Sequence, residues 1–264
     1  MAVSVCIPAR NEAATIARVV EASLAVADQV VVVDASTDAT PRIAADFGAE
    51  VHSQAELLPE LGPVLGKGDA MYRSLTVLTG DVVCFVDADS EDFGSHFVTG
   101  LAGAVEAGHD YVKGYYRRPF KAGDTTLPEG GGRVTELTAR PLLRLFFPEL
   151  AEVRQPLAGE IAARRELLER IPWVTGYGVE IAQLIDVYRE IGIGAMAQVD
   201  LDVRQNRHQP LAALGPMADA VLAAVMNRVH GAPAVVERPP LGSRPWARSR
   251  RPAARSTPAS SASR

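Results

Sequence analysis

The sequence predicts an α/β fold, an open and mostly parallel sheet flanked by helices. Two observations predict it. Short apolar runs alternate with helix-periodic segments through the first 110 residues. The runs are apolar throughout rather than every second residue, as strands covered on both faces must be. Ligands of such sheets sit beyond the carboxyl ends of the strands, so the chemistry is expected at Pro8, Asp34 and Asp87.

The first run, Val3 to Ile7, is closed by Pro8, and Asn11 is placed to cap a helix carrying Ile16, Val20 and Leu24 on one face. A second strand, Val30 to Val33, ends in Asp34 and is followed by the turn-rich Ala35-Ser36-Thr37-Asp38 and a helix through Ile43 and Phe47. After a Pro/Gly-rich stretch, Met71, Leu75 and Leu78 mark a third helix, and Val82 to Val86 a strand ending in Asp87. From about residue 110 the alternation loosens into Tyr111 to Tyr116, a Gly-rich loop and a helix bearing Ile181, Leu184, Ile185 and Tyr188. Leu214, Ala218, Val221, Leu222, Val225 and Val229 form the stripe of a last amphipathic helix, read as core or dimer contact. The expected organisation is one domain over 1–230, with 1–109 as the donor half and 110–230 as the acceptor half, then a disordered Pro/Arg/Ser-rich tail over 231–264.

Apolar residues make up 47% of the 264 residues and charged residues 22%, which excludes wholesale disorder. The net charge of -5 conceals an asymmetry. Six arginines and no acid lie in 243–264, leaving a body of 21 basic and 32 acidic groups. An acidic body repels nucleic-acid backbones, and a small-molecule partner is expected instead. Cys6 and Cys84 fall inside apolar strands and imply a reducing compartment. No signal-like or membrane-spanning stretch is found, so a cytoplasmic location without stable membrane insertion is expected.

Asp87-Ala88-Asp89 closes the most apolar strand, and extended backbone puts its two carboxylates on one side. That suits a hydrated Mg²⁺ or Mn²⁺ that neutralises a leaving diphosphate; a solvated Asp-rich turn is the alternative. Gly66-Lys67-Gly68 opens a helix and brings flexible backbone, a lysine charge and helix N–H groups to one point, as an anion requires. It lacks the spacing of a Walker loop, and an ordinary turn has the same residues. Gly130-Gly131-Gly132-Arg133-Val134-Thr135 offers close backbone approach, a planar guanidinium and a hydroxyl to a phosphate or carboxylate, against the alternative of a flexible connector. Glu160 and Glu180 read as solvated or helix-capping acids. No nucleophile elbow and no zinc-ligand cluster is present.

Taken in order, Pro8-Ala-Arg-Asn-Glu12, Asp34-Ala-Ser-Thr-Asp38, Gly66-Lys-Gly68, Asp87-Ala-Asp89, Gly130-Gly-Gly-Arg-Val-Thr-Glu136, Gln155-Pro-Leu-Ala-Gly-Glu160 and Gly176-Tyr-Gly-Val-Glu180 resemble the actinobacterial glucosyl-3-phosphoglycerate synthases over residues 3 to about 230. The resemblance implies a retaining glycosyltransferase of the GT-A fold, usually a homodimer. Such enzymes move glucose from UDP-glucose to the 2-hydroxyl of 3-phosphoglycerate with Mg²⁺ or Mn²⁺. It implies donor contacts from Pro8, Ala9, Arg10, Glu12, Asp34, Lys67, Asp87, Ala88, Asp89, Tyr177, Glu180 and Arg204. Acceptor contacts would come from Gly132, Arg133, Thr135 and His208, and metal contacts from Asp87, Asp89 and Asn206. It further implies attack by the acceptor on the face from which the diphosphate leaves. The backbone carbonyl of Leu157 stands beside the reacting centre, with Glu180 and Asp89 as the other catalytic groups.

The sequence departs from the family in places. Asn206 stands where a metal-binding His is expected, and His208 where an acceptor-contacting Asn is common. The loop Asp34-Ala35-Ser36 is one residue short and has no Ser directly after the Asp. The first strand starts without the N-terminal extension that some members carry, which is expected to alter dimer contacts. Three other readings remain open. One is a GDP-sugar-dependent transferase of specialised metabolism with a different acceptor. Another is a nucleotide-sugar-binding protein without catalysis. The third is a nucleotidyltransferase, for which the Gly-rich loop after the first strand is missing.

Overall fold

The computed structural model describes residues 1–117, 120–122, 125–127, 132–204 and 211–244. In chain order the elements are β1 (Val3–Ala9), α1 (Ile16–Leu24), β2 (Gln29–Asp34), α2 (Thr40–Asp46), β3 (Glu50–Ser53), α3 (Lys67–Ser74), β4 (Val82–Phe85) and α4 (Ser95–Glu106). There follow β5 (Tyr111–Arg117), β6 (Phe120–Ala122), β7 (Thr125–Leu127), a π-helical stretch (Thr135–Ala139) running into α5 (Arg140–Phe146), β8 (Ile161–Arg164) and α6 (Arg165–Arg170). The chain continues through β9 (Trp173–Val174), α7 (Val179–Ile191), β10 (Met196–Val203), α8 (Leu211–His230) and β11 (Glu237–Arg238).

Seven strands form the main sheet in the order β10-β5-β8-β4-β1-β2-β3. All neighbours are parallel except β8, which runs antiparallel to both β4 and β5. Alternate residues of the apolar strands feed two cores, as a pleated strand buried on both faces must. Val31, Val33, Val83, Phe85, Tyr111 and Ile161 face the side carrying Leu75 and the α7 residues Ile181 and Leu184. Val5, Ile7, Val30, Val32, Cys84 and Val112 face α1 and α4. The parallel arrangement delivers the ends of β1, β2 and β4 to one rim, with Ala9 in register with Asp34.

Three sequence expectations are revised. Asn11 does not cap α1, which begins at Ile16. Its backbone is left-handed (φ 60°), its Oδ1 accepts a hydrogen bond from Thr37 N at 2.8 Å, and its own N–H donates to Ser36 Oγ at 2.8 Å. Asn11 therefore joins the loops after β1 and β2. Helix α3 stops at Ser74, and the buried Leu75 and Leu78 follow in turns.

Within the tail expected to be disordered from residue 231, the described residues 231–244 are mostly exposed but carry anchored positions. β11 pairs antiparallel with β9, Leu241 is buried, and Arg238 grips the buried Asp69. Composition missed this because the segment is fixed by backbone pairing and an ion pair rather than by large apolar groups. The Arg-rich remainder of the tail, 245–264, lies outside the described residues. No helix among the described residues is long and apolar enough to cross a membrane.

Candidate active site

The carboxyl rim of the sheet gathers a cluster of charged side chains. Gly66 adopts φ 118°, a conformation that favours glycine, and turns the chain into α3 so that Lys67 is its first residue. Lys67 Nζ stands 2.6 Å from Asp87 Oδ1 and 2.8 Å from Glu180 Oε1, which projects from the first turn of α7. Burial opposes the ammonium charge, but Asp87 and Glu180 outweigh it and hold Lys67 protonated well above the ordinary lysine range. Asp87 is the reciprocal case. Burial favours its neutral form, yet Lys67 and Arg204 hold the carboxyl far below the usual carboxylate range.

Arg204 follows β10 and is 1% exposed. Its guanidinium contacts Asp87 Oδ2 at 3.2 Å, Asp89 Oδ1 at 2.6 Å and Tyr116 Oη at 2.8 Å, and it is ion-paired with the fully buried Glu160. Burial works against this charge as well, and Glu160, Tyr116, Asp87 and Asp89 overcome it. Glu160 corrects the sequence reading of a solvated acid. It is the buried counter-ion that makes an internal arginine tolerable. Gly159, just before it, lies under Asp87, where an added Cβ would collide with the carboxylate.

Lys67, Asp87, Asp89, Glu180 and Arg204 are thus in direct contact. Ala88 is buried between the two acids, and Asp34, Ala9, Pro8 and Arg10 lie at the ends of the neighbouring strands. Asp34 accepts hydrogen bonds from Ser36 N at 3.0 Å and Ser36 Oγ at 2.6 Å, while Glu12 N–H donates to Thr40 Oγ1 at 2.9 Å. Tyr177 is 60% exposed in the loop between β9 and α7, and Leu157 is half-buried in the turn before β8. Gly132, Arg133 and the buried Thr135 lie on a separate segment, entering the π-helical stretch. Gly130, Gly131, Asn206 and His208 lie outside the described residues.

Among the described residues no group of three His, Cys, Asp or Glu side chains is arranged to hold a metal. A divalent ion at this rim would rest on one or two carboxylates, water and phosphate oxygens, the usual habit of Mg²⁺. Asp89 suits that role, since its side chain is 44% exposed beside the 23% of Asp87. Sequence reasoning missed Tyr116, and it missed the burial of Glu160, although that acid directly precedes the apolar Ile161-Ala162-Ala163.

A family model, Glycosyl transferase family 2, matches residues 4–168. The chain is 43% identical over 240 residues to glucosyl-3-phosphoglycerate synthase of Petrotoga mobilis, spanning 86% of this chain and 73% of that protein. It is 46% identical over 233 residues to the same enzyme of Mycolicibacterium smegmatis, spanning 86% and 77%. Among solved structures, mannosyl-3-phosphoglycerate synthase from Rubrobacter xylanophilus superposes with a TM-score of 0.84 at 42% identity, covering 91% of this chain and 88% of that one. Glucosyl-3-phosphoglycerate synthase from Mycobacterium tuberculosis, in complex with Mn²⁺, UDP-glucose and phosphoglyceric acid, gives 0.82 at 40% identity, covering 91% and 90%. A rim of paired acids and cations on this sheet is what a transferase of nucleotide-activated sugars needs, and the chain belongs to glycosyl transferase family 2, among the glucosyl-3-phosphoglycerate synthases.

Proposed function

We propose that the protein transfers glucose from UDP-glucose to the 2-hydroxyl of 3-phosphoglycerate with retention of anomeric configuration. The observation that carries this reading is the contact cluster Lys67, Asp87, Asp89, Glu180 and Arg204 at the rim where the donor diphosphate of such a sheet would lie. A bound Mg²⁺ or Mn²⁺, held by Asp89 and Asp87 with Asn206 as the further candidate ligand, supplies positive charge to the departing diphosphate.

Lys67 and Arg204 add fixed cations at the same rim, pre-oriented by their acids, so little reorganisation is needed as charge develops. Pro8, Ala9, Arg10, Glu12, Asp34 and Ala88 border the nucleotide, and Tyr177 and Glu180 border the sugar. Gly132, Arg133, Thr135 and His208 hold the acceptor's phosphate and carboxylate. The acceptor oxygen forms the new bond to the anomeric carbon on the face from which UDP departs, and its proton passes to the departing diphosphate. The Leu157 carbonyl stands beside that centre. No side-chain nucleophile is required, so positioning dominates.

The protein acts in the cytoplasm as a homodimer. Leu137 and Leu145, 76% and 72% exposed on the π-helical stretch and α5, are apolar groups available to a second copy. A second reading, transfer of mannose from GDP-mannose to the same acceptor, is favoured by the likeness to the Rubrobacter xylanophilus enzyme. Incubation of the full chain with Mn²⁺, 3-phosphoglycerate and either donor tests both. Acceptor-dependent release of UDP from UDP-glucose is expected. Release of GDP alone establishes the second reading, and no release from either donor refutes both.

A further inference from the structure

Lys113 is a lysine in the interior of the sheet. It lies in β5, flanked by β8 and β10, and shares the face of Tyr111 that packs toward α7. Its side chain is 2% exposed, and its Nζ donates a 2.7 Å hydrogen bond to the carbonyl oxygen of Ala158. An ammonium in such a place is costly, and a neutral side chain of the same length would suit the core better. The position calls for a reason other than packing.

Residues 158–160 supply one, because charged groups hold Ala158 and Glu160 and lie over Gly159. Ala158 O is held by Lys113, Gly159 is pressed under the Asp87 carboxylate, and Glu160 is paired with Arg204. The peptide on the other side of Ala158 carries the Leu157 carbonyl. Hydrogen bonds Ala158 N to Gln155 O (3.0 Å) and Gly114 N to Glu160 O (2.9 Å) frame the segment at both ends. Among the described residues, Lys113 is the group that fixes the Ala158 carbonyl. Around the ammonium, Glu180, Glu160 and Asp87 contribute negative charge and Lys67 positive charge, so Lys113 also completes the charge pattern beneath the rim.

We propose that Lys113 is a positioning residue for the transfer step: by holding the Ala158 carbonyl it sets the orientation of the adjoining Leu157 carbonyl relative to the anomeric carbon. The proposal rests on the function given above. It predicts a loss in the chemical step rather than in binding, because the Lys113 ammonium is buried against the Ala158 carbonyl. Misplacement of a near-attack group costs rate even when affinity is intact.

The test is Lys113→Met in the full chain, assayed with UDP-glucose, 3-phosphoglycerate and Mn²⁺. The expected result is a fall in kcat of about tenfold or more, with both KM values within about twofold of wild type. The denaturation midpoint at pH 7 should be raised, since a buried charge has been removed. A purely structural role for Lys113 would instead lower that midpoint and reduce UDP binding in calorimetry together with kcat, and that outcome overturns the proposal. So does a variant with wild-type kcat, or one whose loss lies wholly in KM. If the wild type itself transfers no sugar, the underlying function falls and the proposal with it. An active wild type beside an equally active variant removes the proposal alone.

Discussion

Arg204 and Asp89 stand 2.6 Å apart although 115 residues separate them in sequence. The same guanidinium reaches Asp87 and the buried Glu160, so one arginine ties the two rim acids to the sheet interior. Asp87 and Asp89 are therefore not a solvated turn. Their geometry is fixed before any ligand arrives, which is the condition for electrostatic stabilisation without reorganisation.

Glu160→Gln tests that anchoring. Removing one member of a buried pair leaves the other charge uncompensated, at a cost of about 3–5 kcal/mol. Denaturant unfolding should show this loss. A variant as stable as wild type would mean that Tyr116, Asp87 and Asp89 suffice to hold Arg204.

Lys67→Met removes a cation that two acids hold in place. Charge-assisted hydrogen bonds contribute about 1.5–3 kcal/mol, so kcat/KM for UDP-glucose should fall roughly 10- to 100-fold. Steady-state kinetics with varied donor, at saturating 3-phosphoglycerate, reads the effect. An unchanged kcat/KM would remove Lys67 from the donor site.

Lys113 links stability to pH in a direction opposite to most lysines. Burial pushes its ammonium down to about 8 from the ordinary 10.5, helped by Lys67 and opposed by Glu180, Glu160 and Asp87. Between these values the unfolded chain binds the proton and the folded chain does not. Stability contributed through this group therefore rises with pH across that window, and the cost of the buried charge is fully present below it. Unfolding midpoints of wild type and Lys113→Met from pH 7 to 10.5 should diverge at the low end and converge at the high end. Parallel curves would place the titration elsewhere.

Arg238→Ala releases the 231–244 segment. Arg238 makes two hydrogen bonds to the buried Asp69, at 2.8 and 2.9 Å, and Asp69 Oδ2 also accepts from Leu65 N just before Gly66. Asp69 N in turn donates to Thr175 O, two residues before Tyr177. Loss of Arg238 should destabilise the protein by roughly 1.5–3 kcal/mol and raise the donor KM, because α3 carries Lys67. A truncation at residue 230 that retained full stability would contradict this linkage.

The first 109 residues are legible because their signals are local. The apolar runs ending at Pro8, Asp34 and Asp87 specify β1, β2 and β4 without reference to the rest of the chain. Residues from 110 onward are less so. Periodicity does not give strand direction, so the antiparallel β8 was invisible. The alternation of Val199, Leu201 and Val203 with Asp200 and Asp202 is the local signal of β10, and it is short. Glu160 and Lys113 look solvated in one dimension, since only the sheet order puts β5 and β8, which Glu160 directly precedes, in its interior. The anchoring of Arg238 is not legible in composition, because an ion pair formed across 169 residues leaves no trace there.

Calorimetric titration of UDP into the full chain, with and without Mn²⁺, for wild type and Asp89→Ala, tests the central claim most directly. The account predicts UDP binding to the wild type that strengthens at least tenfold with the metal, and loss of that gain in Asp89→Ala. Equal binding with and without Mn²⁺, unchanged by the substitution, would contradict a donor site built on the Asp87 and Asp89 rim.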